Sequence, residues 1–247
     1  MYIGAQLYTV RDHAKTLEDL SVTLSRIADI GYRYVQVSGT CPYDAEWLDR
    51  ELKKNGLKCT LTHIPKDRLI NDTDAVLREH ELFGCKYIGL GYHKFTDSQK
   101  EYDAFCDTYR PVAEKIAMGG GYFMYHNHAS EFTVLDKKNV LTRLCEDFPA
   151  DRLGFTLDTY WILVGGEDPA EYIEKFANRA PCIHLKDYGE NARMEVLGEG
   201  CIDLDRVFEK ARDAGVEYMF VEQDNCNGED PFECLKRSYD FLRSRGF

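Results

Sequence analysis

What is missing from these 247 residues narrows the field first. No stretch of about 18 apolar residues occurs, so a membrane span is not expected. The opening Met1-Tyr2-Ile3-Gly4-Ala5-Gln6 lacks the basic-then-apolar layout of a signal peptide. Nine cysteines are scattered without a single C-x-x-C pair. An odd, dispersed set argues against a zinc ribbon or a disulfide framework and reads as reduced thiols in a cytoplasmic protein. Basic charge is also short: 31 Lys and Arg against 43 Asp and Glu give a net −12. That balance repels nucleic acid and anionic membranes, which leaves a small molecule as the expected partner. The sequence is equally compatible with a monomer and a homo-oligomer.

What is present is an alternation. Short β-branched and aromatic runs begin near Ile3, Tyr32, Lys58, Tyr87, Tyr122, Leu153, Cys182 and Tyr218. They recur about every thirty residues, the length of one βα unit. Amphipathic stretches fill the intervals, with Thr16 as a capping residue before Leu17, Leu20, Leu24 and Ile27 at helical spacing. Gly31, Gly56, Gly84 and Gly215 stop such stretches, and Asp168-Pro169 and Asp230-Pro231 start them. Eight such units without a composition break predict a single (β/α)₈ TIM barrel over residues 1–247. An open doubly wound sheet would want a glycine-rich phosphate loop after its first strand, and Leu7-Tyr8-Thr9-Val10-Arg11-Asp12 contains no glycine.

Chemistry in such a barrel sits at the C-terminal ends of the strands. Unusual residues fall there: Gln6, His63, His93, His126, His128, Asp158, Trp161, His184, Lys186 and Glu222, with Glu131 in the loop after strand 5. Strand periodicity puts His184 and Lys186 on one face of strand 7, and Phe220, Glu222 and Asp224 on one face of strand 8. Asp158, His184 and Glu222, with Glu131 swinging in, form a mixed oxygen and nitrogen set that suits Mn²⁺, Mg²⁺, Co²⁺ or Zn²⁺. Each residue also has a plainer role open to it. Asp158 can cap a turn, His184 can be a satisfied core histidine, and Glu222 can pair with Lys186. His126 and His128 share a face of strand 5 as ligand, base or hydroxyl contact, and Lys186 is placed to stabilise developing negative charge. Glu199, between Gly198 and Gly200, offers a carboxylate near the mouth, and Gly165-Gly166 offers a second tight loop.

These residues carry a resemblance. The chain resembles the sugar phosphate isomerase/epimerase family with xylose-isomerase-like TIM barrels, a superfamily that also includes endonuclease IV, inosose dehydratase and ketose 3-epimerases. The likeness rests on Gly4–Arg11, Tyr125-His126-Asn127-His128-x-x-Glu131-Phe132, Leu157-Asp158-Thr159-Tyr160-Trp161, His184-Leu185-Lys186-Asp187, Gly198-Glu199-Gly200 and Val221-Glu222-Gln223-Asp224. It implies one divalent metal ion, Mn²⁺ foremost, held by a strand-5 carboxylate, Asp158, His184 and Glu222. Epimerases of the superfamily carry that first carboxylate on the strand itself, near Tyr125 or His126 here. Glu131 is the nearest carboxylate and takes the role, with His126 as the substitute.

The expected function is a metal-dependent sugar isomerase or epimerase that abstracts a proton next to a carbonyl through a metal-bound enediolate. His128 or Glu222 serves as base, His126 and Lys186 assist, and Gln6, His63, His93, Trp161 and Glu199 bind substrate. Elimination by a dehydratase or lyase of the inosose or 3-keto-glycoside type is the alternative on the same site. A non-catalytic sugar-binding relic is a second alternative. A DNA-repair endonuclease would need more histidines for a three-zinc cluster and a basic face, which a net −12 opposes.

Overall fold

A computed structural model describes residues 1–247. Eight strands carry the architecture: β1 (Tyr2–Gln6), β2 (Tyr34–Val37), β3 (Lys58–His63), β4 (Tyr87–Leu90), β5 (Tyr122–His126), β6 (Leu153–Asp158), β7 (Cys182–Leu185) and β8 (Tyr218–Val221). Each pairs in parallel with its neighbours, and β1 meets β8, closing a (β/α)₈ TIM barrel. Six of the eight strands begin at the residue the sequence pattern marks; β1 begins one residue earlier and β2 two residues later.

The main helices follow the strands in turn: α1 (Leu17–Ile30), α2 (Ala45–Lys54), α3 (Thr73–Leu82), α4 (Gln99–Met118), α5 (Val140–Asp147), α6 (Pro169–Lys175), α7 (Leu204–Asp213) and α8 (Pro231–Ser244). Local chemistry sets their ends. Thr16 and Asp19 form a reciprocal capping box at the start of α1. Pro169 and Pro231 occupy the first turns of α6 and α8, where a missing N–H costs nothing. No helix is long and apolar enough to cross a membrane. All nine cysteines are free thiols.

Alternation along the strands divides the molecule into two cores. Outward residues such as Phe123, Tyr125, Ile183, Leu185, Met219 and Val221 belong to a cluster of 58 buried residues between the barrel and its helices. Inward residues Leu61, Tyr87, Met124, Cys182 and Phe220 fill the lower barrel as a separate apolar plug. Tyrosine rings close the N-terminal end, with Tyr2, Tyr34 and Tyr218 centred 4.8–5.6 Å apart. One step further up each strand, the inward positions become Gln36, His63, His126, His184 and Lys186. The apolar floor therefore ends where the polar mouth begins.

Candidate active site

Four side chains converge at the C-terminal mouth. His126 ends β5, Asp158 ends β6, His184 lies on β7, and Glu222 directly follows β8. Their ligand-type atoms lie within 4.8 Å of one another, and all four residues are buried. Asp158 does two jobs. Its Oδ1 accepts from the Trp161 backbone N–H at 3.0 Å, capping the short helix Thr159–Val164, while Oδ2 looks into the cluster. Its capping role is thus on Oδ1, and Oδ2 is left facing the cluster.

Lys186 adds a buried ammonium to this group. Its Nζ lies 3.1 Å from Asp158 Oδ2, 2.8 Å from Glu222 Oε2 and 3.0 Å from Asp224 Oδ1. Burial alone would lower the Lys186 pKa, but these carboxylates hold it above its ordinary value. Burial likewise opposes charge on Glu222, yet Lys186 and His184 keep it well below the usual carboxylate range. His184 is pulled up to about 8 by Glu222 and Asp158 against its burial. Asp224 is pushed up to about 6 by burial and by the neighbouring Glu222 charge, despite Lys186.

The donors fit a divalent cation. His126 Nδ1 is directed at the Thr156 carbonyl at 3.3 Å, which leaves the Nε2 lone pair toward Asp158 Oδ2 at 4.0 Å. Burial holds His126 well below its ordinary pKa, so no proton separates those two acceptors. Asp158 Oδ2, His184 Nδ1 and Glu222 Oε2 likewise lack a hydrogen-bond partner of good geometry. In this structure the Lys186 ammonium and His184, its pKa raised, offset the two carboxylates, a balancing role that a bound metal ion would share. Two imidazole nitrogens and two carboxylate oxygens suit a borderline or hard divalent metal. Ligand bonds of about 2.0–2.3 Å span the observed spread after a small contraction. The cluster can therefore hold one such ion, with Lys186 retaining Asp224 as a partner outside the four.

Glu131 stands apart from the four. It is fully buried, but Oε1 accepts from Tyr125 Oη at 2.5 Å, and Oε2 accepts from the His128 N–H at 2.9 Å and Ser130 Oγ at 3.0 Å. Tyr125 is an outward residue of β5, so Glu131 is tied to the layer between strand and helix. His126, the inward neighbour, takes the strand-5 place in the cluster.

The expected substrate contacts divide similarly. A cavity of about 570 Å³ opens over the cluster, and its lining includes His63, His128, Trp161, Lys186 and Glu222. His128 Nδ1 and Trp161 Nε1 are buried without partners, their rings 5.2 Å apart. Buried polar groups of this kind are ordinarily satisfied by water or by a bound polar molecule. Burial lowers the His128 pKa to about 4, leaving a neutral base. His63 lines the cavity, but both its ring nitrogens are engaged, by Gln36 at 2.8 Å and Ser38 at 3.1 Å. Gln6 Oε1 accepts from the Tyr8 N–H, and His93 packs against Phe95 and Phe105. Neither belongs to the cavity lining.

Glu199 is exposed and pairs with Arg237 at 3.1 Å. The glycines around it serve Asp187, whose buried carboxylate accepts from the N–H groups of Tyr188, Gly198, Gly200 and Ile202 at 2.8–3.1 Å. Gly165 has a packing role too: a Cβ there would fall 2.2 Å from the Phe132 ring. Gln36, Tyr8, Tyr92 and Asp224 are the contributors sequence reasoning passed over. A glutamine inside the apolar run Tyr34-Val35-Gln36-Val37 was the available signal for the first, and Asp224's shared face with Glu222 for the last.

The fold and this site define a closed (β/α)₈ barrel with a buried cluster at its C-terminal mouth that could hold a metal ion. The chain belongs to the xylose isomerase-like TIM barrel family, whose family model matches residues 24–245. It is 26% identical over 233 residues to an inosose dehydratase of Geobacillus kaustophilus, covering 76% of this chain and 74% of that protein. A sugar phosphate isomerase/epimerase from Parabacteroides distasonis has a similar structure, with a TM-score of 0.83 at 22% identity over 98% of this chain and 97% of that one. A probable 3-DHS dehydratase from Bacillus anthracis superposes with a TM-score of 0.77 at 17% identity, over the full length of both chains.

Proposed function

We propose that the protein is a divalent-metal-dependent dehydratase of a keto-sugar or keto-cyclitol, removing the proton next to the carbonyl and expelling the β-hydroxyl as water. The observation that carries this reading is the division of labour at the mouth. β5 contributes His126 to the cluster in place of a carboxylate, and the neighbouring His128 is a neutral cavity-lining base with Nδ1 unpartnered. A two-carboxylate epimerisation needs a partner for Glu222 on strand 5, and Glu131 is committed to Tyr125. Elimination needs one base and one acid. The similarity to proteins named inosose dehydratase supports the same choice.

His126, Asp158, His184 and Glu222 would hold the ion, Mn²⁺ foremost, with Mg²⁺, Co²⁺ and Zn²⁺ also suited to the donor set. When bound, the ion supplies Lewis-acid polarisation of the substrate carbonyl. His128 takes the α-proton. Lys186 stabilises the negative charge that develops on the carbonyl oxygen, in a buried site where a fixed ammonium is effective. Asp224, which shares Lys186 and lines the same cavity, gives a proton to the departing hydroxyl. Trp161 Nε1 donates to a substrate oxygen.

The test is incubation with inosose and with 3-keto-sugars in D₂O containing Mn²⁺. The wild type is expected to release a dehydrated product and to place solvent deuterium next to the carbonyl of recovered substrate. His128→Gln should lose about 10²–10⁴-fold in both while still binding Mn²⁺. Deuterium incorporation with inversion or carbonyl migration and no loss of water would assign an epimerase or isomerase instead. No exchange with any substrate would favour a non-catalytic binding protein.

A further inference from the structure

Gln36 sits in β2, fully buried in an otherwise apolar run. Its amide is bonded at both ends: Oε1 lies 2.6 Å from His184 Nε2, and Nε2 lies 2.8 Å from His63 Nε2. An amide oxygen can only accept and an amide nitrogen can only donate. His184 Nε2 must therefore carry a proton, and His63 Nε2 must not. The His63 proton then resides on Nδ1, 3.1 Å from Ser38 Oγ. One amide thus sets the tautomers of two histidines.

The consequence appears at the cluster. With Nε2 held protonated by Gln36, Nδ1 is the only His184 nitrogen that can ligate an ion, which would displace its proton; Nδ1 lies 3.6 Å from Asp158 Oδ2 and 2.8 Å from Glu222 Oε2. Three imidazoles crowd this spot, with His63 centred 5.4 Å from His126 and 5.8 Å from His184. Only those with a free lone pair toward the centre can bind an ion. The amide N–H of Gln36 occupies the His63 Nε2 lone pair, and His63 lies outside the four residues whose ligand atoms converge.

We propose that Gln36 is a positioning residue that selects the ligand set, presenting His184 Nδ1 to the ion and withholding His63. The proposal rests on the reading of the mouth as a divalent-ion site. Outer partners of ligating histidines act this way by fixing ring orientation and tautomer, and losing one typically weakens metal binding about 10–100-fold.

The experiment titrates metal-free wild type, Gln36→Leu and Gln36→Glu with Zn²⁺ by calorimetry, and reads ¹⁵N-histidine tautomers by NMR in the Zn²⁺-loaded proteins. Wild type should show His184 coordinated through Nδ1 with Nε2 protonated, and His63 protonated at Nδ1. Gln36→Leu should lose about 10–100-fold in Zn²⁺ affinity. Gln36→Glu accepts at both oxygens, so it should keep wild-type affinity while switching His63 to the Nε2–H form. Wild-type affinity in Gln36→Leu, or His184 coordinated through Nε2, overturns the role of Gln36 and leaves the ion site standing. If Gln36→Leu does not fold, Gln36→Glu decides, and an unswitched His63 overturns the proposal. A wild type that takes up no Zn²⁺ overturns the ion site itself, and this proposal with it.

Discussion

Several side chains at the mouth do two things at once, and Glu222 shows the consequence most clearly. It touches His184 Nδ1 at 2.8 Å and Lys186 Nζ at 2.8 Å, so it is both a ligand-type carboxylate and an ion-pair partner. Removing one member of a buried pair usually costs about 3–5 kcal/mol, because the other charge is stranded. Lys186 is not stranded here, since Asp158 and Asp224 remain within 3.1 Å. We therefore expect Glu222→Gln to change metal-free stability by less than about 3 kcal/mol, while its occupancy by added Mn²⁺ collapses. Thermal melts with and without EDTA, together with metal analysis, measure both quantities. A badly destabilised variant with full Mn²⁺ occupancy would show that Glu222 serves Lys186 alone.

At the scale of elements, strands and helices set the position of the site, and one loop locks it. Lys186 directly follows β7, and its backbone N–H and C=O both bond Thr159 Oγ1, at 3.0 and 2.7 Å. The adjacent Asp187 gathers the backbone N–H groups of residues 198, 200 and 202 onto one carboxylate. Gly200 is required because a Cβ would sit 2.3 Å from Asp187 Oδ1 and 2.6 Å from the Tyr188 carbonyl oxygen. The backbone oxygen has no room to give. Gly200→Ala should break this latch and destabilise the protein by about 1–3 kcal/mol, the cost of leaving such a buried group unsatisfied. Denaturant titration gives the stability, and limited proteolysis should place a new cleavage near residues 197–202. Unchanged stability and cleavage would mean the loop does not need the latch.

For the whole molecule, the buried neutral histidines make stability depend on pH. His80 joins α3 to β3: its Nδ1 faces the Val76 carbonyl at 2.7 Å, and its Nε2 meets Thr62 Oγ1 at 2.8 Å. Burial lowers its pKa from 6.5 to about 4. Between those values the unfolded chain binds a proton that the native chain refuses, so stability falls as pH drops through that window. The loss from this group approaches about 3 kcal/mol at the acid end. Melting temperatures from pH 7.5 to 4.5, in EDTA, should decline more steeply in wild type than in His80→Gln. The variant keeps a donor and an acceptor without titrating. Parallel slopes would mean that His80 carries no part of the acid sensitivity.

The amino-acid sequence by itself determined the architecture and the chemical character of the mouth. Strand and helix periodicities are local, and so are capping residues and prolines at first turns; eight repeats of one such unit, without the glycine-rich loop of an open doubly wound sheet, predict a closed barrel. Period 2 also placed His184 with Lys186 and Glu222 with Asp224, because alternation within a strand needs no knowledge of its neighbours. Which groups meet across the barrel was decided by tertiary structure alone. His126 rather than Glu131 completes the cluster because Tyr125 points outward and takes the glutamate with it. Glu199 is drawn to Arg237 on α8, and its flanking glycines to Asp187. Gln36 meets His184 across 148 residues of sequence. Spacing along a chain cannot encode a hydrogen bond between β2 and β7; only the closed barrel brings them within 2.6 Å, and burial away from water makes that bond obligatory.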